Sequence, residues 1–388
     1  MLPAPRLDNS FPIMNRPSLH LGRLLAASSL AAVFAFSLAV AGEPTANDGF
    51  IRLSSNENAF GFTPKASAAM TAVLESGNYY NRNNVSDLVD TIADYEKVPT
   101  DYILPTAGSG PVLLMTAMAY AKPGANVVTA APGYTQLTRT FLDLGGEIKY
   151  VPVDETYGYD FKAMSRAIDE NTAIVYICNP NNPTGRLADP AELRKFVMTV
   201  PKDVLVFMDE AYLELSTGGL PANSMAPLVK ARKNLIISRT FSKAHGMAGL
   251  RAGYGLANPE VLNNLRTYYQ GTPAFIAAVG AREALLDTAF MAANAAKYAA
   301  VRAHVCAEFD RMGITYAKPE GAFVWFKSGM KDKELVAKLK EKGILISGSR
   351  ADAGVPEGTY ELWARVSLGT QEQMDRFLGE LANILGQT

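Results

Sequence analysis

Two apolar stretches, "TAIVYICNP" at residues 172–180 and "VLVFMDEAY" at residues 204–212, decide how this chain is expected to fold. Each is a nearly continuous hydrophobic run that ends in polar or turn-forming residues, which is typical of a strand covered on both faces of a parallel sheet. A third run of this kind, "NLIISRTFS", follows at residues 234–242. The three runs predict successive strands whose polar ends lie where ligands collect in such sheets.

Working outward, the same alternation of apolar runs and segments of helical period continues from Ile103 to about Pro273. Alternation of this kind favours crossover units and therefore an α/β domain with a mostly parallel sheet. Past Pro273 the pattern changes to a long helical stretch followed by short strands and two further helices. We therefore predict a large domain over residues 76–273, a smaller α+β domain over residues 274–388, and an N-terminal arm, residues 42–75, that joins the small domain.

The composition is that of a globular, enzyme-sized protein. The 388 residues are 48% hydrophobic and carry a formal net charge of -1, so no excess of positive charge favours nucleic acid as a partner. Two cysteines are too few for a disulfide framework. Three histidines without a second ligand at metal-like spacing predict no metal site.

The N-terminal segment, residues 1–41, has a different character. Arg16 and Arg23 precede an uncharged apolar run, residues 24–41, which ends in the small-x-small pattern Ala39-Val40-Ala41. This order is typical of a signal peptide cleaved near Ala41 and predicts an exported, periplasmic protein. The alternative is an uncleaved membrane anchor, because about 18 apolar residues just cross a bilayer core. In either case the membrane is a partner only through this segment.

Polar residues follow several of the predicted strands. "NPNNPTG" at residues 179–185 forms a sharp turn that offers Asn182 to a ligand, although such turns are often only structural. Asp209 closes an apolar strand, where a carboxylate is costly unless it meets a cation, or it caps the next helix. "AGSG" at residues 107–110 precedes an apolar helix and offers free amides to a phosphate. Lys243 and Arg251 follow the third strand.

Taken together, these motifs resemble the fold-type I pyridoxal-phosphate (PLP) aminotransferases of classes I and II, and most closely the histidinol-phosphate aminotransferase branch. The resemblance covers Ile51 to the C-terminus. It implies an aspartate-aminotransferase-like fold with a seven-stranded sheet and PLP as cofactor. The motifs that carry it are "SSNENAFG", "AGSG", "APGY", "NPNNPTG", "DEAY", "RTFSKAHGMAGLRAGYG" and "ARVSLGT".

The resemblance also implies the roles of individual residues around the cofactor ring. Lys243 would bind the cofactor aldehyde covalently and then move a proton of the substrate. Asp209 would pair with the pyridine nitrogen, Asn182 and Tyr212 would hydrogen-bond the ring oxygen, and Tyr134 would stack on the ring. Lys243, Asp209 and Tyr212 are the expected catalytic residues. The residues implied to hold the cofactor phosphate are Gly108, Ser109, Gly110, Thr240, Ser242 and Arg251.

Three further roles concern the substrate and a second subunit. Arg365 matches an arginine that grips the substrate carboxylate as a planar fork, with a surface strand arginine as the alternative. Asn182 and Phe60 are also expected to contact the substrate. Tyr80 matches a tyrosine that reaches the neighbouring subunit's cofactor phosphate, with Tyr79 as the alternative, and therefore implies a homodimer.

The chain departs from the histidinol-phosphate branch at two positions. Phe60 and Ser347 stand where that branch usually has a tyrosine and an arginine, so a substrate phosphate would lack two polar partners unless Arg350 replaces them. We therefore expect an L-amino acid and a 2-oxo acid as substrates, exchanged in a ping-pong cycle. Alternatives are a decarboxylase or β-lyase that uses the same lysine, and a non-catalytic binding protein.

Overall fold

The structure, a computed structural model, describes residues 49–269, 271–349 and 354–386. The expected signal segment, residues 1–41, and Arg350 lie outside the described residues. Among the described residues, no helix is both long and apolar enough to cross a membrane.

The strands alternate with helices along the chain. The strands of the described residues, in chain order, are β1 (Ile51–Arg52), β2 (Ile103–Thr106), β3 (Asn126–Ala131), β4 (Glu147–Pro152), β5 (Thr172–Cys178), β6 (Leu205–Asp209), β7 (Leu235–Thr240), β8 (Gly253–Ala257), β9 (Thr315–Tyr316), β10 (Phe323–Lys327), β11 (Ile344–Leu345), β12 (Ser347–Gly348) and β13 (Trp363–Ser367). The α-helices of the same residues are α1 (Pro64–Val73), α2 (Asn83–Glu96), α3 (Gly110–Tyr120), α4 (Gln136–Asp143), α5 (Phe161–Ala167), α6 (Pro190–Thr199), α7 (Gly219–Asn223), α8 (Pro259–Arg266), α9 (Phe275–Leu286), α10 (Thr288–Arg311), α11 (Asp332–Glu341) and α12 (Gln371–Leu385).

The largest sheet in the described part of the chain has seven strands in the order β2–β8–β7–β6–β5–β3–β4. The five strands β3 to β7 all run parallel to one another. Strand β8 is antiparallel to both of its neighbours, β7 and β2. The prediction of a mostly parallel, seven-stranded sheet is therefore confirmed.

Alternate residues of the central strands pack into two different hydrophobic cores, one on each face of the sheet. On β5, Ile174 and Tyr176 belong to one core, whereas Val175 and Ile177 belong to the other. Successive side chains of a strand point to opposite faces, so a strand covered on both sides must be apolar at every position. This is why "TAIVYIC" and its neighbours read as continuous hydrophobic runs.

The C-terminal part contains a four-stranded antiparallel sheet in the order β12–β13–β10–β9. Strand β13 places Arg365 opposite Trp325 on β10 and opposite Ser347 on β12. The short strand β1 pairs in parallel with β11, so the start of the described chain lies beside its C-terminal part. The predicted smaller α+β part is confirmed, whereas the limits of the arm and of the two domains stay predictions.

Replacing Gly253 with alanine is expected to destabilise the start of β8, next to the "AGSG" turn. A Cβ at Gly253 would lie 2.5 Å from the carbonyl carbon of Gly108 and 2.8 Å from the carbonyl oxygen of Arg239. Both neighbours are backbone atoms and cannot rotate away, so we expect the free energy of unfolding to fall by about 1–3 kcal/mol. Urea unfolding measures the change. Gly249→Ala is the control, because a Cβ there meets no atom within 4 Å. Equal stability of the two variants would contradict this packing argument.

Candidate active site

A cavity of about 370 Å³ lies where the polar ends of the central strands meet. A volume of this size is in the range of small-molecule and cofactor sites. The cavity brings together most of the residues that the sequence singled out. Those that line it are Ser109, Gly110, Tyr134, Asn182, Asp209, Tyr212, Thr240, Ser242, Lys243, Arg251 and Arg365.

Lys243 enters this cavity three residues after β7 ends. Its Nζ donates a hydrogen bond to the carbonyl oxygen of Ser55 at 3.0 Å. The pKa of this amine is lowered to about 8, chiefly by burial and next by the guanidinium of Arg365, while Glu57 opposes the shift. A lowered pKa makes the neutral, nucleophilic amine accessible near neutral pH.

Asp209 is the last residue of β6 and is 3% exposed. Its carboxylate accepts a hydrogen bond from Oγ of Ser238 at 3.0 Å. Burial raises the pKa of Asp209 to about 6, against the effect of the hydrogen bonds from Ser238 and the amide of Ala211. Within the described residues Asp209 belongs to no ion pair, although a buried carboxylate is costly without a cation. The alternative role as a helix cap is not seen, because Asp209 precedes a turn and a short 3₁₀-helix at Leu213–Leu215.

Tyr212, Asn182 and Arg365 form one hydrogen-bonded group on the cavity wall. Nη1 of Arg365 donates to Oδ1 of Asn182 at 2.7 Å, and Nδ2 of Asn182 donates to the phenol oxygen of Tyr212 at 3.4 Å. Arg365 also donates through Nη2 to the carbonyl oxygen of Ser54 at 2.6 Å. At 2% exposure, Arg365 is a buried residue of the site rather than a surface strand arginine.

Another part of the cavity, around Arg251 and the start of α3, carries hydrogen-bond donors that can bind an anion. Nη1 of Arg251 donates to Oγ of Ser242 at 3.1 Å, and Oγ1 of Thr240 donates to the same hydroxyl at 2.9 Å. Ser109 and Gly110 begin α3, whose N-terminal amides attract negative charge. Gly108 does not line the cavity, but it lets Arg251 come close, since a Cβ on Gly108 would lie 2.3 Å from Nη2. Its φ of 86° also favours glycine.

These residues fit PLP on three separate points. The amine of Lys243 can bond an aldehyde, and the hydroxyls and guanidinium beside α3 can bind a phosphate. A protonated pyridine nitrogen would supply the ion-pair partner that buried Asp209 lacks among the described residues. Tyr134 also lines the cavity, and its hydroxyl donates to Oε1 of Gln136 at 3.0 Å. In the described part of the chain, no group of three or more His, Cys, Asp or Glu side chains could hold a metal ion.

Besides Gly108, two expected site residues, Phe60 and Tyr80, lie away from the cavity lining. Phe60 packs edge-on against Tyr298, with ring centroids 5.2 Å apart, and Nζ of Lys297 lies 5.3 Å from its ring. Tyr80 is fully exposed and Tyr79 is 71% exposed. A contact of Tyr80 with a second subunit therefore stays a prediction.

Sequence reasoning missed the contribution of residues 54–58 to the site. Besides the carbonyl groups of Ser54 and Ser55, Nδ2 of Asn58 donates to the carbonyl oxygens of Lys243 and Ala244 at 3.0 Å each. Nδ2 of Asn56 donates to the phenol oxygen of Tyr212 at 3.1 Å. The available signal was the motif "SSNENAFG" itself, which lies more than 150 positions before its partners and therefore does not reveal them.

Comparison with known proteins agrees with this geometry. The family profile described as "Aminotransferase class I and II" matches residues 48–381. The histidinol-phosphate aminotransferase of Geobacillus thermodenitrificans is 34% identical over 336 residues, which cover 86% of this chain and 90% of the relative. The crystal structure of histidinol-phosphate aminotransferase from Sinorhizobium meliloti, in complex with pyridoxal-5'-phosphate, aligns with a TM-score of 0.79 at 25% identity over 86% of this chain and 90% of that one.

The fold extends to more distant enzymes. A tetra mutant of Thermus thermophilus aspartate aminotransferase aligns with a TM-score of 0.76 at 22% identity, over 86% of this chain and 96% of that one. This likeness shows the aspartate-aminotransferase-like fold alone. Because the family profile spans most of the chain and the curated relative is above 30% identical over most of its length, the resemblance in the sequence is confirmed: this chain belongs to the class I and II aminotransferase family.

Proposed function

We propose that this aminotransferase transfers an amino group between an L-amino acid and a 2-oxo acid in a ping-pong cycle, and that the cavity residues take the roles given below. The cofactor is pyridoxal 5'-phosphate. The observation that carries the proposal is that Lys243, Asp209 and Arg365 line one cavity of about 370 Å³. An amine, a buried carboxylate and a guanidinium in one cavity provide a covalent anchor, a partner for a pyridine nitrogen and a clamp for a carboxylate.

When bound, PLP supplies an electron-deficient ring that accepts the electron pair left when a bond at the substrate Cα breaks. Asp209 would hold the proton on the pyridine nitrogen, because a buried carboxylate favours a charged partner. Tyr212 and Asn182 would hydrogen-bond the ring oxygen, and Tyr134 would stack on the ring. Ser109, Gly110, Thr240, Ser242 and Arg251 would hold the phosphate, and Gly108 permits the approach of the guanidinium.

Lys243 is the group that moves the proton at the substrate Cα. Once the substrate amine has displaced it from the cofactor, the free Nζ, whose pKa is lowered to about 8, would take this proton as a neutral amine and later give it up as an acid. The hydrogen bond from Nζ to Ser55 and those from Asn58 to the backbone of Lys243 and Ala244 limit where the amine can lie. A base that is already oriented loses less entropy on reaching the transition state.

Arg365 binds the substrate carboxylate. The described cavity lining holds three cationic side chains, Lys243, Arg251 and Arg365. The first is needed for the aldehyde and the second lies at the phosphate end, which leaves Arg365 for the substrate anion. Its contacts with Asn182 and Ser54 keep the guanidinium in place, and a guanidinium binds a carboxylate through two parallel hydrogen bonds.

Replacing Arg365 with glutamine is expected to lower kcat/KM for amino acids about 100-fold, mainly through KM, because a buried charge-assisted pair is lost. The visible absorption of the PLP-loaded protein is expected to persist. Arg311→Gln is the control, since Arg311 is exposed and pairs only with the nearby Glu308 among the described residues. An unchanged KM in Arg365→Gln would contradict this role.

Histidinol phosphate is a second candidate amino donor. The relative from Geobacillus thermodenitrificans, which is 34% identical to this chain, is a histidinol-phosphate aminotransferase. The phosphate of this donor would lie at Arg365, next to Ser347. Ser347 offers it a hydroxyl, where the histidinol-phosphate branch usually has the cation of an arginine. The test is to mix the PLP-loaded protein with single donors and record the loss of visible absorption and its return with a 2-oxo acid. Higher kcat/KM for histidinol phosphate than for every L-amino acid would overturn the amino-acid proposal.

The same assay separates transamination from decarboxylation and β-elimination on this fold. Transamination without an acceptor consumes the visible absorption in proportion to the enzyme, whereas the other two reactions leave the aldehyde form of the cofactor in place. The family assignment favours transamination over both reactions and over a non-catalytic binding protein.

We also propose that the chain acts as an exported homodimer. The exposure of Tyr79 and Tyr80 beside a groove that includes Tyr269 and Phe275 supports a second subunit at this surface. The apolar run at residues 24–41 supports export, with anchoring in the membrane as the alternative. Sedimentation of the purified protein and the N-terminal sequence of its periplasmic form test these two points.

A further inference from the structure

The phenol oxygen of Tyr212 accepts two hydrogen bonds from amides. Nδ2 of Asn56 donates to it at 3.1 Å, and Nδ2 of Asn182 donates to it at 3.4 Å. The orientation of the Asn182 amide follows from its other contact, because Nη1 of Arg365 lies 2.7 Å from Oδ1 and a guanidinium can only donate. The nitrogen of this amide must therefore face Tyr212.

Ser367 on β13 holds Asn56 through two hydrogen bonds. The backbone N–H of Asn56 donates to Oγ of Ser367 at 2.8 Å, and Oγ of Ser367 donates its own proton to Oδ1 of Asn56 at 2.9 Å. Because Oδ1 faces Ser367, Nδ2 faces Tyr212. Asn56 is 2% exposed and has a φ of 53°, a left-handed conformation that asparagine tolerates better than most residues.

This arrangement leaves the hydroxyl proton of Tyr212 without an acceptor among the described residues. The phenol oxygen has accepted two donors, so its proton points to a different partner. Tyr212 lines the cavity, and a buried donor without a partner is costly. A negatively polarised oxygen of a bound molecule would supply the missing acceptor.

We propose that Asn56, oriented by Ser367, is a positioning residue that makes Tyr212 a hydrogen-bond donor to the ring oxygen of bound PLP. The inference rests on the proposed function, because it needs the cofactor in this cavity. Asn56 and Tyr212 are 156 positions apart, and Asn56 and Ser367 are 311 positions apart. The direction in which the Tyr212 hydroxyl donates thus depends on Asn56 near the start of the described chain and on Ser367 in the four-stranded sheet.

The test is the pH titration of the visible absorption of the PLP-loaded protein. In Asn56→Asp the new carboxylate can only accept, so it draws the Tyr212 proton away from the cavity. Loss of the hydrogen bond from Tyr212 disfavours the ionised form of the ring oxygen. We therefore expect the midpoint of the absorption titration to rise by about one pH unit and kcat to fall about tenfold. KM for the amino acid should change by less than about twofold, because Arg365 keeps its own contacts.

Two further variants keep the test open if Asn56→Asp folds poorly. Asn56→Gly retains the left-handed backbone and removes the side chain, and Ser367→Ala releases the orientation of Asn56, so both should raise the midpoint, by less than Asn56→Asp does. Asn223→Asp is the matched control. Asn223 is a buried amide that donates to the carbonyl oxygens of Thr217 and Gly219 outside the cavity. The titration midpoint of the Asn223→Asp variant should therefore equal that of the wild type.

The outcomes separate the two proposals. A wild-type protein with no visible absorption after incubation with PLP overturns the proposed cofactor, and with it this inference. A wild type that titrates, together with Asn56 and Ser367 variants that titrate at the same midpoint, overturns the inference about Asn56 and leaves the cofactor proposal standing.

Discussion

Replacing Lys243 with alanine is expected to lower kcat for amino transfer about 10⁴-fold, the upper end of what one proton-transferring group contributes. The reason lies in what else lines the cavity. Arg251 and Arg365 are the other basic side chains of the described lining, and a guanidinium does not lose its proton near neutral pH. Neither can replace an amine whose pKa burial has lowered to about 8.

The loss is measured as the single-turnover rate with excess amino acid and as the visible absorption of the protein after incubation with PLP. Both should fall in Lys243→Ala. Lys233→Ala serves as the control, because Lys233 is exposed and pairs with Glu260 on the surface at 3.2 Å. Retention of the wild-type absorption and rate in Lys243→Ala would exclude Lys243 as the covalent anchor.

Replacing Asp209 with asparagine is expected to lower kcat about 10²- to 10³-fold while it stabilises the cofactor-free protein. Asparagine keeps the shape of the side chain and an acceptor for Ser238, which lies 3.0 Å from Oδ1. It cannot hold a proton on the pyridine nitrogen, so the ring becomes a weaker acceptor of electrons. The same substitution removes a buried charge that is costly when the cofactor is absent.

The pH dependence of this stabilisation follows from the direction of the Asp209 shift. Burial raises its pKa from 3.8 in the unfolded chain to about 6 in the folded protein, so the folded state binds the proton more tightly. Below about pH 4 the carboxyl is protonated in both states and contributes no cost. As the pH rises through about 6 the charged form must be buried, and the folded state loses about 3 kcal/mol at neutral pH.

Cofactor-free Asp209→Asn should therefore be more stable than the cofactor-free wild type near neutral pH, and the two should converge below about pH 4. Urea unfolding at both pH values measures this difference. Asp101→Asn, at an exposed position before β2, is the control and should follow the wild type. A stability difference that is equal at both pH values would contradict the assignment of the cost to this carboxylate.

Much of the fold could be predicted because the deciding signal is local. In β5, β6 and β7, both faces are covered by packed side chains, and that requirement acts on every residue of a short run. Residues at or just beyond the ends of these strands, such as Asp209 and Lys243, could be placed at the cavity because the ends of parallel strands share one edge of the sheet. Arg365 needed the motif "ARVSLGT", since it comes from a different sheet.

Other features of the site could not be predicted because they depend on contacts between distant segments. Phe60 packs on Tyr298 and does not line the cavity, so its predicted contact with the substrate stays a prediction. The hydrogen bonds of Asn56 and Asn58 connect the start of the described chain to Tyr212 and to the backbone of Lys243. Nothing in the composition of "SSNENAFG" states which asparagine faces which partner.

The sequence alone was enough to determine the class of fold and the chemical groups of the site, through the order of its apolar runs and of the polar residues at their ends. The direction of each hydrogen bond at Tyr212 and the lowered pKa of Lys243 were decided only by the tertiary structure. Hydrophobic periodicity reports on the immediate neighbours of a residue along the chain, whereas hydrogen-bond polarity and desolvation depend on every group that folding brings near, at any separation.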